Sequence, residues 1–304
     1  MKSGNWTFNV KALGLIVALV VAAADITHAQ LSDAGGSKSI HSLKEKKEKP
    51  TPPWFVQRFT LSAGLFMPIN NTSIKVGTTD GSIGTNIDLE DDLGFKSSTQ
   101  SFYADLQWRA SRRSRFDITY YSLHRSADKT LQKEIDFKDN VYPISASVNA
   151  HFNTDIVRFS YGYAIITNPK YEVGLLIGAH IMKTGVGISA NTGAGSASYS
   201  DEFNFTAPLP DLGVWGGYAF AKNWSINAEF GWLSLSVDNI YGRILGGTLG
   251  INYSPVKNLR LCLAYTGLNI KADVERDNWK GDLKWNYNGP VLTVGYSFGN
   301  YSWK

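Results

Sequence analysis

Ser101-Phe-Tyr-Ala-Asp-Leu-Gln-Trp-Arg109 alternates apolar and polar residues with a period of two. Phe102, Ala104, Leu106 and Trp108 share one face, and Tyr103, Asp105, Gln107 and Arg109 share the other. Successive side chains of a strand point to opposite sides, so the stretch predicts a β-strand with one greasy and one polar surface.

The same alternation recurs in both directions, in stretches of about ten residues. Upstream, 55–66 sets Phe59, Leu61, Ala63 and Leu65 against Arg58, Thr60 and Ser62. Downstream it returns at 115–124 with Asp117 on the polar face, and at 155–165 with Arg158. It appears again at 171–182 with Glu172, at 210–220 with Asp211, and at 224–235 with Glu229. The series ends with 243–254, with 259–268 (Arg260 and Cys262 on the polar face), and with 289–298. That makes ten expected strands. The connections alternate between short and long. Ser111–Ser114, Ile166–Lys170, Ala221–Asn223 and Pro255–Asn258 are short and hold turn-forming Pro, Asn and Ser; 67–99, 125–154, 183–209, 236–242 and 269–288 are longer.

No run beyond the N-terminus approaches the roughly 18 apolar residues of a membrane helix. In lipid every backbone N–H and C=O must be paired, so amphipathic strands can cross only as a closed barrel. The expected fold is therefore all-β, a closed antiparallel transmembrane barrel of ten strands over 54–304. Short turns face the periplasm and long loops face outward, as outer-membrane barrels have them. Trp54, Trp108, Phe116, Tyr163, Tyr171, Phe220, Trp224, Tyr253 and Phe298 cluster at the short-turn ends, where an interfacial aromatic belt belongs.

The chain ends fit export. Lys2 and Lys11 precede the apolar run Ala12–Ala24, and Thr27-His28-Ala29 offers a cleavage site, so 1–29 reads as a signal peptide removed after Ala29. Residues 30–53, with Lys44-Glu-Lys-Lys-Glu-Lys49 and Pro50-Thr-Pro-Pro53, read as a disordered periplasmic linker. The mature chain then carries 28 basic and 25 acidic residues, a net +3. Nothing in this balance suggests the concentrated basic face that nucleic-acid binding needs. A single cysteine excludes an intramolecular disulfide framework.

Gly289-Pro-Val-Leu-Thr-Val-Gly-Tyr-Ser-Phe298 resembles the C-terminal assembly signal of bacterial outer-membrane proteins, with Gly299–Lys304 following it. The resemblance implies recognition by the barrel-assembly machinery through the last strand ending at Phe298. Asn86-Ile-Asp-Leu-Glu-Asp-Asp-Leu-Gly-Phe95 and Ala207-Pro-Leu-Pro-Asp-Leu-Gly213 are similar to stretches of uncharacterised proteobacterial outer-membrane barrels. That implies a setting of outer-membrane lipid and lipopolysaccharide.

Chemistry-bearing residues fall in three groups. Arg58, Asp105, Arg109, Asp117, Arg158, Glu172, Asp211, Glu229 and Arg260 face the narrow lumen, where charges of both signs should pair. Asp88, Glu90, Asp91 and Asp92 form an acidic external loop with oxygen ligands for a divalent cation, without the calcium-loop spacing. His124, His151 and His180 are expected near the external rim, with Ser122 and Asp155 close in sequence. Such a rim could host proton transfer, but no omptin-like or lipase motif accompanies it. No resident metal or cofactor is expected. The sequence supports a structural or narrow small-solute or ion channel barrel. The alternatives are a surface binding or adhesion barrel acting through its loops and, less favoured, a rim enzyme.

Overall fold

The computed structural model describes residues 52–77, 84–138, 140–191, 198–237, 240–275 and 280–299. The stretches read from sequence as signal peptide and linker, up to 51, and also 192–197 and 300–304, lie outside the described residues.

The strands in chain order are β1 (Phe59–Phe66), β2 (Ile69–Gly77), β3 (Ile87–Asp88), β4 (Ser101–Arg109), β5 (Ser114–Thr130), β6 (Ile135–Phe137) and β7 (Asn140–Tyr142). There follow β8 (Ser147–Thr167), β9 (Tyr171–Asn191), β10 (Ser198–Ala221), β11 (Trp224–Val237), β12 (Ile240–Tyr253), β13 (Leu259–Glu275) and β14 (Lys280–Phe298). Ten of them form a ring in the order β1-β4-β5-β8-β9-β10-β11-β12-β13-β14, and β1 pairs back onto β14. Phe59–Phe66 pairs antiparallel with Phe298–Val291 on one side and with Trp108–Ser101 on the other. Strand β2 takes over after Pro68, which lacks the N–H a ladder needs, and follows the upper half of β14 from Asn288 to Lys280. The segment Ile87–Asp88 pairs onto β2, and β6–β7 is a separate hairpin.

Leu61, Ile177 and Tyr296 are more than half exposed, and similarly exposed apolar residues appear on every strand of the ring. In water this would be a sticky surface far larger than a soluble protein tolerates; in lipid it is the favourable one. At the short-turn end Phe298, Phe59, Trp108, Phe116 and Tyr161 stack ring on ring across five strands. Phe220, Trp224 and Tyr253 continue the belt on the far side. Trp54 departs from that belt. It precedes β1 and meets Phe55 edge-on at 5.9 Å.

The long connections prove to be largely strand. Strand β8 begins at Ser147 and β10 at Ser198, well beyond the 155 and 210 read from sequence. The reason is an inversion of the alternation. On β8, Val157, Phe159 and Tyr161 face outward with Arg158 and Ser160 inside; further out, His151, Asn153 and Asp155 take the outward positions and Phe152 and Ile156 are buried. The two-residue period continues unbroken while solvent changes from lipid to water, so greasy and polar faces exchange roles.

Candidate functional site

The lumen has two chemically distinct halves. In the half nearer the short turns, β4, β5, β8, β9, β10 and β11 aim charged side chains inward from their polar faces. Arg158 donates to Asp211 at 2.7 Å and also pairs with Glu229. Arg115 donates to the other Glu229 oxygen at 2.8 Å and lies 3.1 Å from Asp117. Arg109 grips Glu172 through two guanidinium nitrogens, with both side chains only 2% exposed. Trp215 lies under both arginines, its ring 3.9 Å from the Arg115 Cζ and 5.2 Å from that of Arg109. A cavity of about 220 Å³ runs among these groups.

Two plugs bound that chamber. On the short-turn side the chain before β1 turns into the mouth. Arg260 Nη2 donates to the Phe55 carbonyl at 2.7 Å, and the Phe55 ring covers Gly217, where any β-carbon would collide with it. On the outer side the interior is mostly apolar, broken by the inward-facing pair Arg125–Glu90 and by Thr72. Phe66, Leu123, Phe152, Ile156, Met182, Trp285 and Tyr287 from the wall pack with Ile87, Leu89, Leu93 and Phe95, which the segment before β4 folds inward.

An antiparallel ring with a greasy exterior, a belt of aromatics and paired interior charges leaves one reading of the fold. The chain is a transmembrane β-barrel of the outer-membrane type. No family model matches it, and no curated protein matches it. Solved structures do. The outer-membrane protease OmpT from Escherichia coli has a TM-score of 0.49 and 9% identity, over 79% of this chain and 97% of that one. The translocator domain of the autotransporter NalP from Neisseria meningitidis gives 0.42 and 11%, over 79% and 88%. The attachment invasion locus protein Ail of Yersinia pestis gives 0.31 and 11%, over 79% and 99%.

The remaining candidates sort by place. Asp105 accepts from Thr119 at 3.1 Å, and Asp117 also accepts from Gln107 at 2.7 Å. Arg58 sits at the barrel base, where its carbonyl accepts the Arg109 amide. Arg115 was not among the lumen charges read from sequence. Its position at the first residue after a turn hid its parity, though Phe116 as an outward residue could have revealed it. His180 corrects the rim expectation. It points inward, 6% exposed, with Nδ1 3.6 Å from Asp211. His124 lies exposed on the rim, and His151 is half-buried on the same outward face. His124 faces Asp155 across the β5–β8 pair at 3.6 Å, and His151 faces Glu202 at 3.9 Å.

The acidic loop separates its four carboxylates. Glu90 turns inward and accepts from the Thr72 amide at 2.8 Å while Arg125 pairs with it. Asp88 caps the following turn by accepting the amides of Glu90 and Asp91, and burial raises its carboxyl above the ordinary range. Asp92 pairs with Lys133 at 2.6 Å, and Lys129 donates to the Asp91 carbonyl. Burial lowers the Arg125 guanidinium, with Glu90 opposing the shift. Among the described residues no three His, Cys, Asp or Glu side chains converge on a metal-sized point. A cation at this loop would have to displace Arg125 and Lys133.

Proposed function

We propose that this protein is a sealed outer-membrane barrel that carries a rigid β-walled rim for binding at the cell surface. The observation that carries the reading is the dense packing of the outer half of the lumen, where Phe152 and Trp285 meet at 5.5 Å with both rings buried and Arg125 lies against Phe152, held by Glu90. An ion crossing that zone would shed its hydration among packed rings and a charge pair already satisfied internally, which is costly. The strands that enclose it continue past the apolar band, so the rim is a hydrogen-bonded wall, and such a wall presents residues with little ordering cost on binding. In the same reading, 1–29 directs export and leaves at Ala29, 30–53 stays periplasmic, and the assembly machinery engages β14 up to Phe298. Planar-bilayer recordings of the refolded chain test it. Silence at moderate voltage is expected, whereas steady open-channel current from the unaltered protein would return the barrel to the channel class.

A further inference from the structure

We propose that the outward face of β12, β13 and β14, just above the apolar band, binds the phosphate groups of the outer-leaflet glycolipid. Arg243 stands directly opposite Lys271, and Lys271 directly opposite Lys284, so three cations occupy one row across three neighbouring strands. Adjacent strands lie about 4.8 Å apart. Like charges facing one another at that spacing oppose folding, and an anion over the row relieves the repulsion. Arg243 and Lys284 are exposed, and among the described residues neither has a carboxylate within ion-pair distance. Lys271 donates to Asp273 at 2.8 Å and stands over the Tyr241 ring.

The height is that of a lipid headgroup. From Leu259 to Asn269 there are eleven residues, the length at which a tilted strand crosses the hydrocarbon. Lys271 is the next outward residue. Directly beneath the cations lies a row of amides, Asn269, Asn286 and Asn71 in register, able to donate to phosphate or sugar oxygens. Above them lie Asp273, Asp282 and Lys75. Arg243, Lys271, Lys284 and Lys75 against Asp273 and Asp282 leave the patch with two net positive charges. Burial and the facing Asp273 push the Asp282 carboxyl up, which reduces its opposition. Lys280 and Glu275, higher still, offset each other. At the corresponding level around the ring, β5, β8 and β9 instead mix His124, Asp155 and Lys183, with the uncharged Thr206 opposite Lys183 on β10. The cation row therefore belongs to one side of the barrel.

The test uses the full chain refolded in neutral detergent, titrated with bisphosphorylated lipid A and with its dephosphorylated form, and read by native mass spectrometry. The phosphorylated lipid should bind more tightly. The triple substitution R243Q/K271Q/K284Q should weaken it on the order of 100-fold at low salt, about fivefold per charge, while R243K/K271R/K284R and K183Q keep it. Heat-modifiable gel mobility verifies folding of each variant. Equal binding of the two lipids, an unaffected triple variant, or an equal loss in K183Q would overturn the assignment. So would competition by inorganic phosphate at matched phosphate concentration, since that would mark a free-anion site.

Discussion

Arg109 and Glu172 meet deep in the lumen, where neither retains contact with bulk water. Two desolvated charges repay each other only as a pair, and removing one leaves the other stranded at a cost of about 3–5 kcal/mol. Arg109→Met or Glu172→Leu alone should therefore lower the temperature at which the folded gel form is lost. The double variant should recover most of the loss, because two apolar chains of similar volume replace the pair. A double variant as unstable as the sum of the singles would show that the two residues act independently. The same logic governs Arg158, which holds Asp211 and Glu229 together and links β8 to β10 and β11.

At the scale of elements, the decisive seam is the one between β1 and β14, where the chain's first and last strands meet. Gly64 makes the seam possible. A β-carbon there would strike the Leu292 carbonyl and the Thr293 backbone, neither of which can move aside without parting the strands. Gly64→Val should cost about 1–3 kcal/mol and slow the appearance of the heat-modifiable folded form. Ala63→Val, which puts the same final side chain on the lipid face one residue earlier, should be nearly neutral. If both behave alike, the seam tolerates bulk and Gly64 has another role. The inverted upper halves of β8, β9, β10 and β14 belong to this scale too. They convert what reads as loop into wall.

Taken whole, the barrel is closed by barriers in series: the Phe55 plug, the mid-lumen ion pairs, and the apolar packing beyond them. Barriers in series mean that opening one does not open the pore. Deleting Trp54–Gln57 should therefore leave the bilayer silent. Trimming Phe66, Leu93, Phe152 and Trp285 to Ala in addition should produce small, flickering current steps. Current from the deletion alone would mean that the outer packing does not seal. The phosphate-binding face on β12–β14 lies outside these barriers, on the lipid side of the wall.

Period-two alternation made the class and strand number of this chain legible before any contact was known. Parity along a strand is a local property, so a shared face could be read for Arg109, Asp117, Arg158, Glu172, Asp211 and Glu229; the structure pairs Arg109 with Glu172 and Arg158 with Asp211 and Glu229. Partnerships were not legible. That Glu90 leaves the acidic loop for Arg125, that His180 meets Asp211 inside, and that Phe55 fills the mouth follow from pairings 35, 31 and 205 residues apart. The strand lengths were hidden for a related reason. Alternation reports which side is greasy but not which solvent lies outside, and only the assembled wall shows where lipid gives way to water.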